Sequence, residues 1–307
     1  MKRYNTFVGY YKEKYGERLQ KLVLDAGFTC PNRDGTVGRG GCSFCDNAAF
    51  HPGYSTAGKP LHQQIDEGIE FHKIRYPRAK RYLAYFQSYS NTYAPLDRLR
   101  SLYEEALSHP AVMGIVIGTR PDCVDEQKLD YIASLKKQCE VVTIEYGIES
   151  CYDDTLRHIN RGHDFECARR AVQMSAERGI DTGAHFILGL PGETKQMLID
   201  QCSLISSLPL HSVKFHQLQL VKGTRMEKEY EENPDAFLQL DLEEYLDLVI
   251  DMLERLRPSL YIERVAGEVP PRFVNKTQWG LLRNVQILQR LEQKLEQRDT
   301  WQGRLYQ

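Results

Sequence analysis

The sequence contains no long apolar stretch. None of its 307 residues falls in a run that approaches the roughly 18 uninterrupted apolar residues of a membrane-spanning helix. The beginning of the chain carries charged side chains where a secretory signal peptide needs an apolar core. We therefore expect no membrane segment and a cytoplasmic location.

The sequence also lacks a large excess of either positive or negative charge, and it has few cysteines. Lys and Arg number 40 and Asp and Glu number 42, so the composition neither favours nor excludes a polyanionic partner. Eight cysteines are too sparse for a secreted disulfide scaffold in a chain of this length. Cys30, Cys42 and Cys45 cluster, whereas the other five stand singly. This distribution favours metal or cofactor ligation in a reducing compartment.

Short β-branched apolar runs alternate with longer amphipathic ones. Candidate strands cover residues 21–25, 82–86, 114–118, 141–146, 185–188 and 213–218. Helical patterns cover residues 60–75, 96–108, 125–138, 165–178 and 195–207. Strand–helix alternation predicts parallel strands joined by right-handed crossovers. The predicted fold class is α/β, a partial (β/α)6 TIM-like barrel, because a full eight-strand barrel usually needs about 250 residues of repeated units.

The alternation ends after residue 220. We predict a barrel with an N-terminal cap over residues 1–220 and an α-rich C-terminal extension over residues 221–307, packed on the barrel. The extension contains helical patterns at 240–257 and 277–296 and a candidate strand at 261–265. No Gly/Ser/Pro-rich linker separates the two parts.

The clustered cysteines lie in the segment CPNRDGTVGRGGCSFC, residues 30–45, directly after the first predicted strand. In a parallel barrel this is the carboxyl end of the strands, where active sites are found. Iron–sulfur clusters normally have four cysteine ligands, so three thiolates would leave one iron open. The spacing equally suits a structural Cys3His zinc site with His51 as the fourth ligand. Spacing alone leaves both interpretations open.

The loop resembles the radical-SAM superfamily, although eleven residues separate its first two cysteines instead of the usual three. The expanded gap is a feature of the branch related to the Elongator catalytic subunit and to oxygen-independent coproporphyrinogen oxidase. The whole loop is similar to the YhcC/YtqA-like family of that branch. Further similar motifs are YFQSYSNTYAP (85–95), GTRPDC (118–123), INRGH (159–163), HFILGLPGET (185–194) and KFHQLQLVKGT (214–224).

This resemblance implies a radical S-adenosylmethionine (SAM) enzyme with a [4Fe-4S] cluster on Cys30, Cys42 and Cys45. The cluster would cleave SAM reductively to a 5′-deoxyadenosyl radical. An electron donor such as flavodoxin or ferredoxin is then expected. The implied cofactor-binding residues are Phe44, Gln87, Ser88, Arg120, Glu149, Arg161, His185 and Leu220.

Several of these positions also have ordinary structural interpretations. Glu149 suits a solvated helix start, and Arg161 suits a structural salt bridge. Arg120 could lock a turn by pairing with Asp122. His185 stands where the family's oxidases carry an acid and equally suits a hydrogen-bonded core histidine. The Gly-Gly-Glu usually found after the second strand is replaced by Gln87-Ser88-Tyr89, so only the position carries over there.

The sequence says less about the substrate. Lys214 and His216 alternate along the sixth predicted strand and are our candidate catalytic residues, because polar side chains inside a barrel usually contact a ligand. The branch resemblance implies tRNA as the substrate, with a wobble-uridine side chain as the target. A basic run with interleaved tyrosines suits RNA contact and contains Lys73, Arg75, Tyr76, Arg78, Lys80, Arg81 and Tyr82. The alternatives are a small-molecule substrate and a non-catalytic, zinc-stabilised RNA-binding module.

Overall fold

A seven-stranded, all-parallel sheet forms the centre of the protein in a computed structural model. The structure describes residues 2–77, 79–275, 279–280 and 282–307, apart from the side chains of residues 48 and 75. The strands pair in chain order and curl into a half-barrel, which confirms the predicted α/β fold class. They are β1 (Gln20–Leu24), β2 (Tyr82–Phe86), β3 (Val112–Thr119), β4 (Val141–Glu149), β5 (Asp181–Leu188), β6 (Ser212–Gln217) and β7 (Tyr261–Arg264).

Helices cover the outer face of the sheet, so the strand residues that face them are mainly apolar. All five residues of β2 are buried, for example. The α-helices among the described residues are α1 (Phe7–Tyr15), α2 (Pro31–Asp34), α3 (Leu61–Arg75), α4 (Leu96–Leu107), α5 (Glu126–Ser134), α6 (Asp153–His158), α7 (Phe165–Glu177), α8 (Lys195–Ser207), α9 (Arg225–Glu232), α10 (Leu242–Arg255) and α11 (Asn284–Gln297). None of the helices in these described ranges is long and apolar enough to cross a membrane.

Side-chain caps explain where several helices begin. Asp125, Asp164 and Thr194 each accept a hydrogen bond from the backbone N–H three residues ahead, at the starts of α5, α7 and α8. Asp241 and Glu244 form a reciprocal capping box at the start of α10. The helix predicted over 277–296 is observed as α11; residues 277, 278 and 281 lie outside the described residues.

The predicted C-terminal extension contributes a strand to the sheet. β7 pairs in parallel with β6, and the apolar face of α10 packs against α8. The chain near the N-terminus also reaches β7, because Ile262 donates its N–H to the carbonyl of Asn5. The predicted boundary at residue 220 stays a prediction.

The basic run lies before β2, so it is at the amino end of the sheet. Lys73 pairs with Glu70, and Arg81 pairs with Glu140. Arg78 and the side chain of Arg75 lie outside the described part of the chain. The predicted RNA contact at this run is therefore away from the carboxyl ends of the strands, where the polar cavity described next opens.

Candidate active site

A cavity of about 280 Å³ opens at the carboxyl ends of the strands, and all three clustered cysteines line it. Its wall includes residues from the ends of five successive strands, or just beyond them: Gln87, Thr119, Glu149, Ile187 and Gln217. Because parallel strands end at one edge of the sheet, residues far apart in the chain meet here. The predicted position of the cysteine loop is therefore where the cavity lies.

The cysteine loop folds around Asn32. Cys30 precedes the short helix α2, and the buried Asn32 side chain donates to the carbonyl of Asn160 at 2.5 Å. A Cβ at Gly38 would lie 2.2 Å from the Asn32 side-chain oxygen, so only glycine fits there. Gly41 has a φ of +76°, which glycine adopts without steric cost. The loop is thereby held against the segment that contains Arg161.

Nitrogen donors point at two of the three cysteine sulfurs. Arg161 Nη1 lies 3.4 Å from Cys42 Sγ, and Asn32 Nδ2 lies 3.6 Å from the same sulfur. Arg33 Nη2 lies 3.5 Å from Cys45 Sγ. Such donors stabilise negative charge on thiolates, and hydrogen bonds to the sulfurs tune the potential of an iron–sulfur cluster.

The donor set fits a [4Fe-4S] cluster better than a single zinc ion. A zinc ion draws its ligands to about 2.3 Å, yet no three His, Cys, Asp or Glu side chains among the described residues are close enough for one ion. In a [4Fe-4S] cluster each thiolate binds a different iron, so the sulfurs stand further apart. His51, the proposed fourth zinc ligand, instead pairs with Ser88 at 2.8 Å and lies 3.7 Å from Asp25.

Arg161 and Glu149 meet in the cavity wall beside Cys42. The buried Arg161 guanidinium donates to the carbonyl of Gly147 at 2.5 Å and lies 3.5 Å from the Glu149 carboxylate. Burial opposes its charge, but the Cys42 sulfur and Glu149 raise the pKa of Arg161. Its Nε has no partner among the described residues. A salt bridge is thus present, and one buried donor of the same guanidinium is left without a partner in the described part of the chain.

The end of β4 is strained where these groups meet. Glu149 has a φ of +73°, a conformation that non-glycine residues rarely adopt and that is concentrated at functional sites. The ladder to β5 shifts register between Gly147 and Glu149. A Cβ at Gly147 would lie 2.6 Å from Glu149 and 2.7 Å from Arg161. Glycine at this position therefore permits the pair to form.

Arg120 and its neighbour Asp122 form a bidentate pair. Two guanidinium nitrogens donate to the Asp122 carboxylate at 2.8 and 2.7 Å, and the third donates to the carbonyl of Arg161 at 2.8 Å. Arg120 lines the cavity, but its nitrogens are already engaged. The structure therefore places it as a support for the Arg161 segment, in agreement with the locked-turn interpretation.

The remaining predicted cofactor residues divide into two groups. Phe44, Gln87 and His185 line the cavity. Ser88 is fully buried against His51, and Leu220 packs into a small apolar cluster; neither is among the described lining residues. On the wall after β6, Leu218 and Gln219 line the cavity instead. The cofactor roles of all these residues stay predictions.

Below the cysteines, the interior of the half-barrel holds a network of charged side chains. Glu145 accepts from Lys21 at 2.5 Å, from Lys214 at 2.6 Å, and contacts His185 at 3.1 Å. Glu263 accepts from Lys21 at 2.6 Å and lies 3.1 Å from Lys214. These four charged residues come from β1, β4, β6 and β7. We call Lys21, Glu145, Lys214 and Glu263 the barrel network.

Sequence reasoning found Lys214 and missed the rest of the barrel network. The missed signal was a charged residue inside a strand, because strands of a parallel sheet are usually continuous apolar runs. Lys21 in β1 and Glu145 in β4 both break that rule. Burial opposes the charge on Glu145, but Lys21 and Lys214 hold the pKa of its carboxyl well below the usual value.

His216 follows Lys214 on the same face of β6 and lines the cavity. Burial, together with the neighbouring His185 and the positive charge of Arg264, holds the pKa of His216 well below its usual value, so the ring is neutral near pH 7. Its Nε2 has no partner among the described residues. Burial also lowers the pKa of Lys214, despite its two carboxylate partners.

Comparison with known protein families identifies the class of this site. The family described as "Radical SAM superfamily" matches residues 32–205, and "Radical_SAM C-terminal domain" matches residues 210–297. The chain belongs to the radical SAM superfamily. Radical SAM proteins use a [4Fe-4S] cluster and SAM, so the predicted cofactors and enzyme class are confirmed. The alternative of a non-catalytic zinc module is wrong.

Similar radical SAM proteins agree with the predicted branch. "Protein YhcC" of Escherichia coli K12 is 38% identical over 263 residues, which cover 86% of this chain and 83% of that protein. A "tRNA uridine(34) acetyltransferase" of Methanocaldococcus infernus is 29% identical over 125 residues, or 40% of this chain and 22% of that protein. The solved structure of M. infernus Elp3 with an N-terminal deletion has a TM-score of 0.70 at 14% identity. That alignment covers 92% of this chain and 64% of the Elp3 chain, and it shows a shared fold.

Proposed function

We propose that this radical SAM enzyme holds its cluster with Cys30, Cys42 and Cys45 and modifies the side chain of a tRNA wobble uridine. One observation carries the proposal: the three cysteines line a single cavity at the carboxyl ends of the strands, with nitrogen donors 3.4–3.6 Å from two of their sulfurs. When bound, the cluster supplies the electron that cleaves SAM to a 5′-deoxyadenosyl radical. A one-electron donor such as flavodoxin or ferredoxin is part of this proposal.

The residues around the cysteines suit this chemistry. Phe44 packs with the apolar cluster that contains Leu156 and Ile187 and would exclude water from one side of the cluster. Arg161, with its free Nε, would bind the carboxylate of SAM, because a guanidinium matches carboxylate geometry. Glu149, held by Arg161, would accept hydrogen bonds from the ribose.

Two features support tRNA as the substrate. The first is the similarity to a relative named tRNA uridine(34) acetyltransferase. The second is the rim of the cavity, where Tyr89 is exposed and the Arg33 guanidinium lies 5.7 Å from its ring centre. Exposed aromatic rings beside guanidinium groups suit the stacking of unpaired bases. Lys214 and His216 would then contact the inserted side chain from the β6 wall.

Nucleoside mass spectrometry of tRNA tests the proposal directly. Cells that lack the gene should accumulate an altered wobble uridine, and the wild-type gene should restore the normal nucleoside. Cys42→Ala should fail to restore it, and the purified variant should lack the roughly four iron atoms per chain of one cluster. Cys167→Ala is the matched control, because Cys167 lies on α7 outside the cavity lining. An unchanged tRNA profile in the deletion would remove RNA as the substrate.

A further inference from the structure

A bulge in the β6–β7 ladder directs two consecutive charged side chains into the half-barrel. Val213 pairs with Ile262, but Lys214 pairs with Arg264, so Glu263 is an extra residue without a ladder partner. Successive side chains normally point to opposite faces of a sheet, and a bulge changes that alternation. Accordingly, Glu263 reaches Lys21 and Lys214, while Arg264 lines the same cavity.

Arg264 differs from its neighbours because its charge is not balanced. The barrel network holds two ammonium and two carboxylate groups, which pair with one another. No described residue forms a hydrogen bond or ion pair with the Arg264 guanidinium, and the residue is exposed at the cavity. Its register partner is Lys214, so it also adds a positive charge beside an ammonium group. The barrel network and Arg264 together therefore carry three positive and two negative charges.

The other charged groups on the wall are already engaged or uncharged. Glu149 lies against Arg161, and Glu268 accepts the backbone N–H of Asn284 at 2.6 Å. The ring of His216 is neutral, and its Nε2 is left without a partner in the described part of the protein. A ligand that fills this space displaces the water around Arg264, and an unpaired guanidinium without water is strongly unfavourable.

We propose that Arg264 binds an anionic group of the substrate, a carboxylate or a phosphate, with His216 Nε2 as a neighbouring hydrogen-bonding group. The proposal rests on the proposed function only in treating this cavity as the substrate site. A guanidinium offers two parallel donors that match the oxygens of either anion. Arg264 would thus favour substrates whose negative charge reaches β7, next to the position of Lys214 on β6.

Small anions provide a direct test on the full-length, cluster-loaded enzyme. Protein labelled with ¹⁵N-arginine is titrated with acetate or inorganic phosphate at constant ionic strength, and the side-chain Nε–H signals are followed by NMR. Comparison with Arg264→Gln and Arg272→Gln assigns the two signals. Arg272 is the matched control because it is exposed on Phe273, outside the cavity lining. The Arg264 signal should shift saturably while the Arg272 signal does not.

The two arms of the titration distinguish the anions. Saturation by acetate alone assigns a carboxylate subsite, and saturation by phosphate alone assigns a phosphate subsite. An Arg264 signal that moves no more than that of Arg272 with either anion overturns the proposal. This result does not depend on whether RNA is the substrate, so it is separate from the tRNA profile.

Turnover provides the second measurement. With tRNA from cells that lack the gene, Arg264→Gln should raise KM on the order of tenfold to a hundredfold, as expected for a lost charge-assisted hydrogen bond. Arg264→Lys, which keeps the charge but not the paired donors, should fall between. Binding of SAM, measured by calorimetry, should be unchanged in both variants. Equal weakening of SAM binding and substrate binding would assign Arg264 to the cofactor and refute the substrate role.

Discussion

Glu145 is the position where the barrel network is most sharply tested. Only 1% of its surface is exposed, and its carboxylate lies 2.5 Å from Lys21 and 2.6 Å from Lys214. Glu145→Gln keeps the shape but leaves both ammonium groups to share Glu263. Removing one partner of a buried ion pair costs about 3–5 kcal/mol. Because Glu263 remains within 3.1 Å of both lysines, we expect the lower end, about 3 kcal/mol.

Urea unfolding followed by far-UV circular dichroism at pH 7 measures this loss. Glu243→Gln is the matched control, because Glu243 pairs with Lys294 at 2.9 Å on the surface with 56% of its side chain exposed. Exposed pairs contribute about 0–1 kcal/mol, so this control should unfold nearly as the wild type does. If Glu145→Gln is within about 1 kcal/mol of the wild type, the network does not stabilise the barrel as we argue.

The pH dependence of the same variant has a definite sign. Burial opposes ionisation of Glu145, but Lys21 and Lys214 hold the pKa of its carboxyl well below the usual value. A depressed folded-state pKa contributes stability that is present above the unfolded pKa, about 4.3, and is lost as pH falls towards the folded pKa. The stability difference between wild type and Glu145→Gln should be constant from about pH 7 to 5 and shrink below about pH 4. A difference that grows in acid would contradict this reasoning.

Two further substitutions test other buried groups. Burial raises the pKa of the Glu193 carboxyl to about 7, although the hydrogen bond from Ser150 acts in the opposite direction. The stability that the protonated carboxyl contributes is therefore lost as pH rises from about 4.5 through 7. The free energy of unfolding of Glu193→Gln should therefore exceed that of the wild type by about 1–3 kcal/mol at pH 8 and equal it at pH 4. A gain only in acid would disprove the assignment. Gly147→Ala places a methyl group 2.6 Å from Glu149 and should weaken SAM binding about tenfold or more in calorimetry, whereas Gly53→Ala, which meets nothing within 4 Å, should not. Equal affinities in both alanine variants would remove the Glu149–Arg161 pair from the cofactor site.

The strands were predictable where short apolar runs had clear limits. The prediction for β2, residues 82–86, matches the observed strand to the residue. The prediction for β5 began at residue 185, but the strand begins at Asp181. Asp181, Thr182 and Gly183 include poor strand formers, yet pairing with β4 and β6 keeps them extended. Tertiary pairing therefore overrode local propensity at this point.

In the C-terminal part, too, the local sequence indicated a strand, but tertiary pairing decided its place in the sheet. The weak strand signal at 261–265 is the seventh strand of the sheet, observed as Tyr261–Arg264. Four residues carry too little pattern to indicate which sheet they join or in which register. The bulge that brings both Glu263 and Arg264 inside is a property of the β6–β7 ladder. No pattern within the segment itself indicates it.

The sequence by itself determined the grouping of the three cysteines and the fold class. Cys30, Cys42 and Cys45 lie within sixteen consecutive residues, and strand–helix alternation is a repeated local signal, so both are readable along the chain. Only the tertiary structure decided the interior of the barrel. Lys21 and Glu263 are 242 positions apart, and they meet because the sheet curls and brings β1 and β7 to face one interior. Charge pairing at such separations depends on curvature and register, which no local sequence pattern encodes.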